Sequence, residues 1–167
     1  MRVRVKDFLE SCTGFLSALP EDFIDECTRL EFDAALHGGV AEVDVPGSVL
    51  DRLTAAKDRQ KRYDEEYSAI SEHRVAGMSA EDAGDLGKAV QEYAESIRLG
   101  MAGEFGLLHA YYHSFRRVIV VLGKLKRYAD ECEFIEKFLT LELDERDRAS
   151  MCSRLEKTRV KLQKSKS

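Results

Sequence analysis

The sequence predicts an all-α protein built from consecutive antiparallel helices with short connections. Three observations carry this. Apolar residues recur at alternating three- and four-residue steps along almost the whole chain, the spacing of a single helix face. Only 2 prolines interrupt the pattern, and several of the 11 glycines fall where one apolar stripe stops and the next begins. Strand-like alternation of apolar and polar residues occurs in one short segment, 40–45, too little to build a sheet-based core.

Phe8, Cys12, Phe15 and Leu19 fall on one face of a first helix. Pro20 suits the first turn of a second, where Glu21 and Asp22 favour the positive end of the helix dipole. Its stripe is Phe23, Cys27, Leu30 and Ala34, ending at Gly38-Gly39, and the two helices should pack as a hairpin. Val40 to Val45 alternates apolar and acidic residues as a half-buried strand does, yet no partner for it is evident, so it reads as an extended linker or as an edge offered to another molecule. Residues 1–45 are therefore expected to form an N-terminal helical hairpin plus linker, and 46–167 a helical-repeat domain, whether or not the two fold as one.

From Pro46 to about Ala83, Val49, Leu53, Ala56, Tyr63, Tyr67 and Ile70 trace one long helix, with a bend expected near Gly77. Tyr63, Tyr67 and Ile70 form a seam through which two copies could pair as a homodimer. After Ala83-Gly84-Asp85, Leu86, Ala89, Val90, Tyr93 and Ile97 define the next helix, closing at Gly100. Phe105, Leu108, Tyr112, Phe115, Ile119 and Leu122 continue to Gly123, and Tyr128, Cys132, Ile135 and Leu139 follow. A last helix, Glu145 to Lys164, carries Met151, Cys152, Leu155 and Leu162. From Arg146 to the end it has 8 basic and 2 acidic residues, a polar exterior suited to capping a stack of helices.

Composition narrows the function classes. The chain has 167 residues, enough for a substantial core, and a net charge of -5, which argues against a general polyanion binder. No apolar run approaches the ~18 residues of a membrane helix, and the basic opening from Met1 to Lys6 leads into no secretory pattern. Cys12, Cys27, Cys132 and Cys152 are widely spaced, form no C-x-x-C pair and lie on apolar stripes, which reads as four reduced, buried thiols in a cytoplasmic protein.

Gly84-Asp85, Ala89, Tyr93, Ile97 and Leu99 resemble the second half of a tetratricopeptide repeat. Tyr112, Phe115, Ile119, Gly123, Tyr128, Cys132 and Ile135 resemble a second, divergent unit whose turn comes 39 residues later. The family's usual period is 34, and neither unit has its terminal proline. The stretch 63–164 is also similar to tetratricopeptide-like C-terminal segments of bacterial proteins of unassigned function, through YDEEY at Tyr63, AGDLGKAVQEYAESI at Ala83, RRVIVVLGKLKRY at Arg116 and RLEK at Arg154. The resemblance implies a short α-solenoid that binds a partner protein or peptide, and no reaction.

In that register Ser71, Arg74 and Met78 of one unit and His113 and Arg117 of the next face the concave side. Arg74, His113 and Arg117 are the candidate partner-binding residues, a clamp for a carboxylate or acidic tail through charge-assisted hydrogen bonds. Their ordinary alternative is surface pairing of the arginines with Glu72 or Glu81; for the clamp, reversing both charges should abolish partner capture and leave the melting temperature nearly unchanged.

Arg116, Arg117, Lys124, Lys126 and Arg127 form a cluster with no acid inside it. With the last helix, this basic stripe supports an alternative reading as a nucleic-acid-associated regulator. His109 and His113 share a helix face at metal-pair spacing, with Glu104 a conceivable third ligand, but Ala110 stands where a zinc protease has glutamate. The glycines match no phosphate-binding motif, and Asp64-Glu65-Glu66 reads as a solvated charged face. No catalytic site and no cofactor are expected.

Overall fold

A computed structural model describes residues 1–165. Helix dominates, as expected: α1 (Val5–Ser11), α2 (Glu21–His37), α3 (Gly47–Asp82), α4 (Leu86–Ala102), α5 (Leu108–Lys124), α6 (Tyr128–Leu139) and α7 (Glu145–Lys164). Two short strands, β1 (Arg2–Arg4) and β2 (Glu42–Asp44), complete the elements. The chain divides into two compact units, 1–63 and 64–167, so α3 supplies its beginning to one and its end to the other. Lys166 and Ser167, the tail of the basic segment, lie outside the described residues.

In the first unit the segment 40–45 has a partner after all. β2 pairs antiparallel with β1, placing Arg2 opposite Asp44, Val3 opposite Val43 and Arg4 opposite Glu42. Val43 turns inward, while Arg2 reaches Glu42 at 2.9 Å on the outer side. Val5, Phe8, Cys12, Leu19, Phe23 and Cys27 join Val43, Val45, Val49 and Leu53 in one core, so the start of α3 belongs with the N-terminal elements.

The first helix is shorter than its apolar stripe suggests. It ends at Ser11, because Ser11 and Thr13 turn their hydroxyls onto the carbonyls of Phe8 and Glu10 and Gly14 adopts φ +88°. Phe8 and Cys12 still reach the core, but Leu19 arrives there from beyond a separate short 3-10 turn, Leu16–Ala18. α2 closes at Gly38 in the left-handed conformation, as expected.

In the second unit α4 packs on α5, α5 on α6 and α6 on α7. Asp85 caps α4 by accepting from the Lys88 N–H at 3.0 Å, and Asp144 caps α7 at 2.7 Å through the Asp147 N–H. Tyr93, Phe115, Phe138, Ile70, Ile119 and Leu122 are fully buried, with Phe115 and Phe138 stacked at 5.0 Å. Ile70 is therefore core and cannot line a seam between two copies.

Two glycines serve packing. α3 runs through Gly77, whose absent β-carbon leaves room for the Tyr93 ring; a β-carbon there would lie 2.7 Å from it. Gly100 lies inside α4, which runs on to Ala102, and a β-carbon there would meet the Tyr111 ring at 2.0 Å. Both are close approaches of a backbone to an aromatic face.

Candidate interaction surface

One carboxylate links three helices of the second unit. Glu81, in the last turn of α3 with its side chain 10% exposed, accepts from Arg117 Nε at 3.0 Å, from Arg117 Nη2, and from Lys124 Nζ at 3.1 Å. The Tyr93 hydroxyl donates to it as well, at 3.3 Å. Burial pulls the Glu81 carboxyl upward, but the hydrogen bonds and charges of Arg117 and Lys124 outweigh it and hold the group below its ordinary range. Arg117 is raised in turn by its bond to Glu81, and Tyr93 by burial and the neighbouring carboxylate.

Met78, Glu81, Asp82, Tyr93, His113, Arg117 and Lys124 line an open hollow of about 510 Å³ beside this cluster. Two of the three clamp residues thus share a wall. Arg74 is not part of it: its Nη1 donates to the Ala110 carbonyl at 3.4 Å. His113 is exposed at the rim, edge-on to the Tyr93 ring at 6.5 Å. Burial of part of the imidazole, and then the charges of Arg117 and Arg74, depress its basicity, with Glu81 acting in the opposite direction.

Arg117 is already held by a nearly buried acid, so reversing its charge would set two carboxylates against each other. The melting temperature would fall, contrary to the expectation from the sequence.

A second hollow of about 470 Å³ lies along the same helix, lined by Tyr67, Ser68, Ser71, Glu72, Val75 and Ala76. Tyr67, Ser71, Val75 and Met78, at i, i+4, i+8 and i+11, fall on one side of α3 and run between the two hollows. Tyr67, Val75 and Met78 are 36%, 54% and 44% exposed. They form an apolar row open to solvent on a helix that buries only Ile70, Gly77 and Ala80 in this unit.

The basic stripe is largely neutralised by acids, most of them distant in sequence. Arg116 approaches Asp147 at 3.7 Å, Arg117 and Lys124 share Glu81, and Arg127 binds Asp130 at 2.6 Å. On α7, Arg154 pairs with the buried Glu131 at 2.7 Å and Arg159 with Glu136 at 2.7 Å. Arg148 donates to the carbonyls of Leu139 and Leu141, tying α7 to the end of α6.

The two histidines face different neighbours, His109 stacking on Tyr67 at 5.9 Å and His113 meeting Tyr93. Among the described residues no three His, Cys, Asp or Glu side chains gather to hold a metal ion. Cys152, expected in the core, is exposed on α7, while Cys12, Cys27 and Cys132 are buried. Glu66 is not merely solvated: its carboxylate accepts from the backbone N–H of Glu104 at 2.8 Å and of Phe105 at 3.3 Å, fixing the connection between α4 and α5.

The sequence offered no sign of the buried Ser114–Ser96 hydrogen bond, 2.9 Å, between α5 and α4. Among the described residues no helix is long and apolar enough to cross a membrane. Comparison of the chain with models of protein families, with curated proteins and with solved structures gives no match.

Proposed function

We propose that the chain is a cytoplasmic protein-interaction module, a short tetratricopeptide-like helical repeat without catalysis of its own. Its partner is a protein segment with apolar anchors and an acidic flank, laid along α3. The observation that carries this reading is the exposed row Tyr67, Val75 and Met78, which leads into the hollow at His113 and Arg117. Apolar side chains of a partner would cover the row, and an acidic flank would reach His113 and the side of the Arg117 guanidinium left open to solvent beside Glu81.

A nucleic-acid reading draws less support from the same surface. Phosphate contacts need free cations, and Arg116, Arg117, Lys124 and Arg127 each face a carboxylate.

The test is capture from native lysate by the full chain and by a Val75→Glu/Met78→Glu variant, at low and moderate salt. Both side chains are exposed, so the variant should melt with the wild type. A discrete protein bound at moderate salt and lost in the variant is the expected result. Equal capture by both forms, or nucleic acid released by added salt, would overturn the assignment.

A further inference from the structure

We propose that the outer face of α2 is a self-association surface, through which a second copy of this chain binds by the same face. The inference concerns the N-terminal unit alone and stands apart from the partner surface on α3.

α2 is apolar on two sides. Phe23 and Cys27 are buried in the N-terminal core, whereas Phe32 and Leu36 are 65% and 63% exposed. At 100° per residue they project from the opposite side of the helix. Val40, just beyond the helix, is 66% exposed. A surface helix normally turns one stripe inward and leaves the other side polar, so a second ridge opposite the first calls for a second contact.

Beside that ridge lies a hollow of about 660 Å³, whose walls include Phe32, Ala35, Val40, Arg4, Lys6 and Glu31. Ridge and hollow adjoin on one surface. This arrangement suits a two-fold axis, which carries the Phe32–Leu36 ridge of each copy toward the hollow of the other. The charges agree with a copy as occupant. Arg4, Lys6 and Asp7 come from the β1–α1 lip, which is net positive, and Glu31 from α2, so a two-fold can set the net-basic lip of one chain against the acidic lip of its mate. A strongly charged foreign partner would call instead for a rim of one sign.

Size sets the strength. A 17-residue helix is ~25 Å long, and one helix face per copy falls at or below the roughly 1,200 Å² lower limit of standard interfaces. The dimer should therefore be reversible and depend on concentration across the micromolar range.

The experiment is sedimentation velocity on the full chain over a wide concentration range, alongside Phe32→Glu, Leu36→Glu and, as control, Met78→Glu. The wild type and Met78→Glu should move from monomer to dimer together, and the two α2 variants should weaken dimerisation at least about tenfold while melting normally. Hydrogen exchange at high and low concentration supplies a readout without mutation, with extra protection expected over residues 28–41. A chain that remains monomeric throughout overturns the proposal, whether or not the patch captures a different protein. So does a dimer indifferent to Phe32 and Leu36, or one broken by Met78→Glu alone.

Discussion

Arg117 holds the carboxylate of Glu81 through two guanidinium nitrogens, joining the end of α3 to the middle of α5 across 36 residues of sequence. Lys124, two turns further along α5, reaches the same carboxylate, so one nearly buried acid fastens two helices at two points. Tyr93 donates to it from α4. The contact is bidentate, charge-assisted and mostly removed from water, the circumstances in which an ion pair exceeds the small value of a surface bridge.

Truncating Arg117 to alanine should therefore cost about 1–3 kcal/mol, a figure that allows for the partial exposure of the guanidinium and for Lys124 remaining in place. The pH dependence has a definite sign. The folded-state value of Glu81 lies below its ordinary 4.5, so its contribution is complete above that pH and is lost as pH falls through the depressed folded value. Urea unfolding at neutral and acid pH should show a steeper acid loss for the wild type than for Arg117→Ala or Glu81→Gln. Parallel acid profiles for all three would remove the network from the stability of this unit.

Glycine positions supply a second prediction. Gly77 and Gly100 face aromatic rings with no room for a methyl group, and Tyr93 and Tyr111 are too tightly packed to yield freely. Gly77→Ala and Gly100→Ala should each destabilise by about 1–3 kcal/mol despite the better helix propensity of alanine. Gly87, near the start of α4, meets only the Asp85 carboxylate at 3.8 Å, so Gly87→Ala should stabilise by up to about 1 kcal/mol. Thermal melts of the three variants decide it; three equal shifts of one sign would mean that the rings move aside.

These glycines also show where the sequence was legible and where it was not. Apolar period located every long helix, and α7 runs from Glu145 to Lys164 as predicted, because periodicity reports which side of a helix meets a core. It cannot tell a glycine that ends a helix from one that admits a ring, and so makes Gly100 look like a stop. It likewise carried the first helix past Ser11, since the side chains that break the helix lie between the apolar positions that define the stripe.

The strand pair was missed for a different reason. Arg2-Val3-Arg4-Val5 and Glu42-Val43-Asp44-Val45 are complementary in pattern and opposite in charge, a signal visible only when the two ends of the unit are compared. Distant pairing also accounts for the candidate site. His113 and Arg117, one helical turn apart, line one hollow, and Glu81, offered by the sequence as an ordinary partner for Arg117, takes that place and binds Lys124 too; the acid facing Arg116, Asp147, comes from α7, beyond the reach of a reading of the stripe alone.

The third prediction concerns the thiols. Cys12 and Cys27 are wholly buried and Cys132 is 8% exposed, whereas Cys152 is open to solvent on α7. Disulfide exchange proceeds through the thiolate, and burial, reinforced by nearby acids, pushes the Cys27 and Cys132 thiols up and suppresses that form. A disulfide reagent added to the native protein should consume one thiol per chain quickly, and the other three only as the chain unfolds. Cys152→Ser should abolish the fast phase without altering the slow one. Two fast thiols, with the second assigned to Cys132, would show instead that α6 and α7 part in the native state, because α7 is the helix packed against α6.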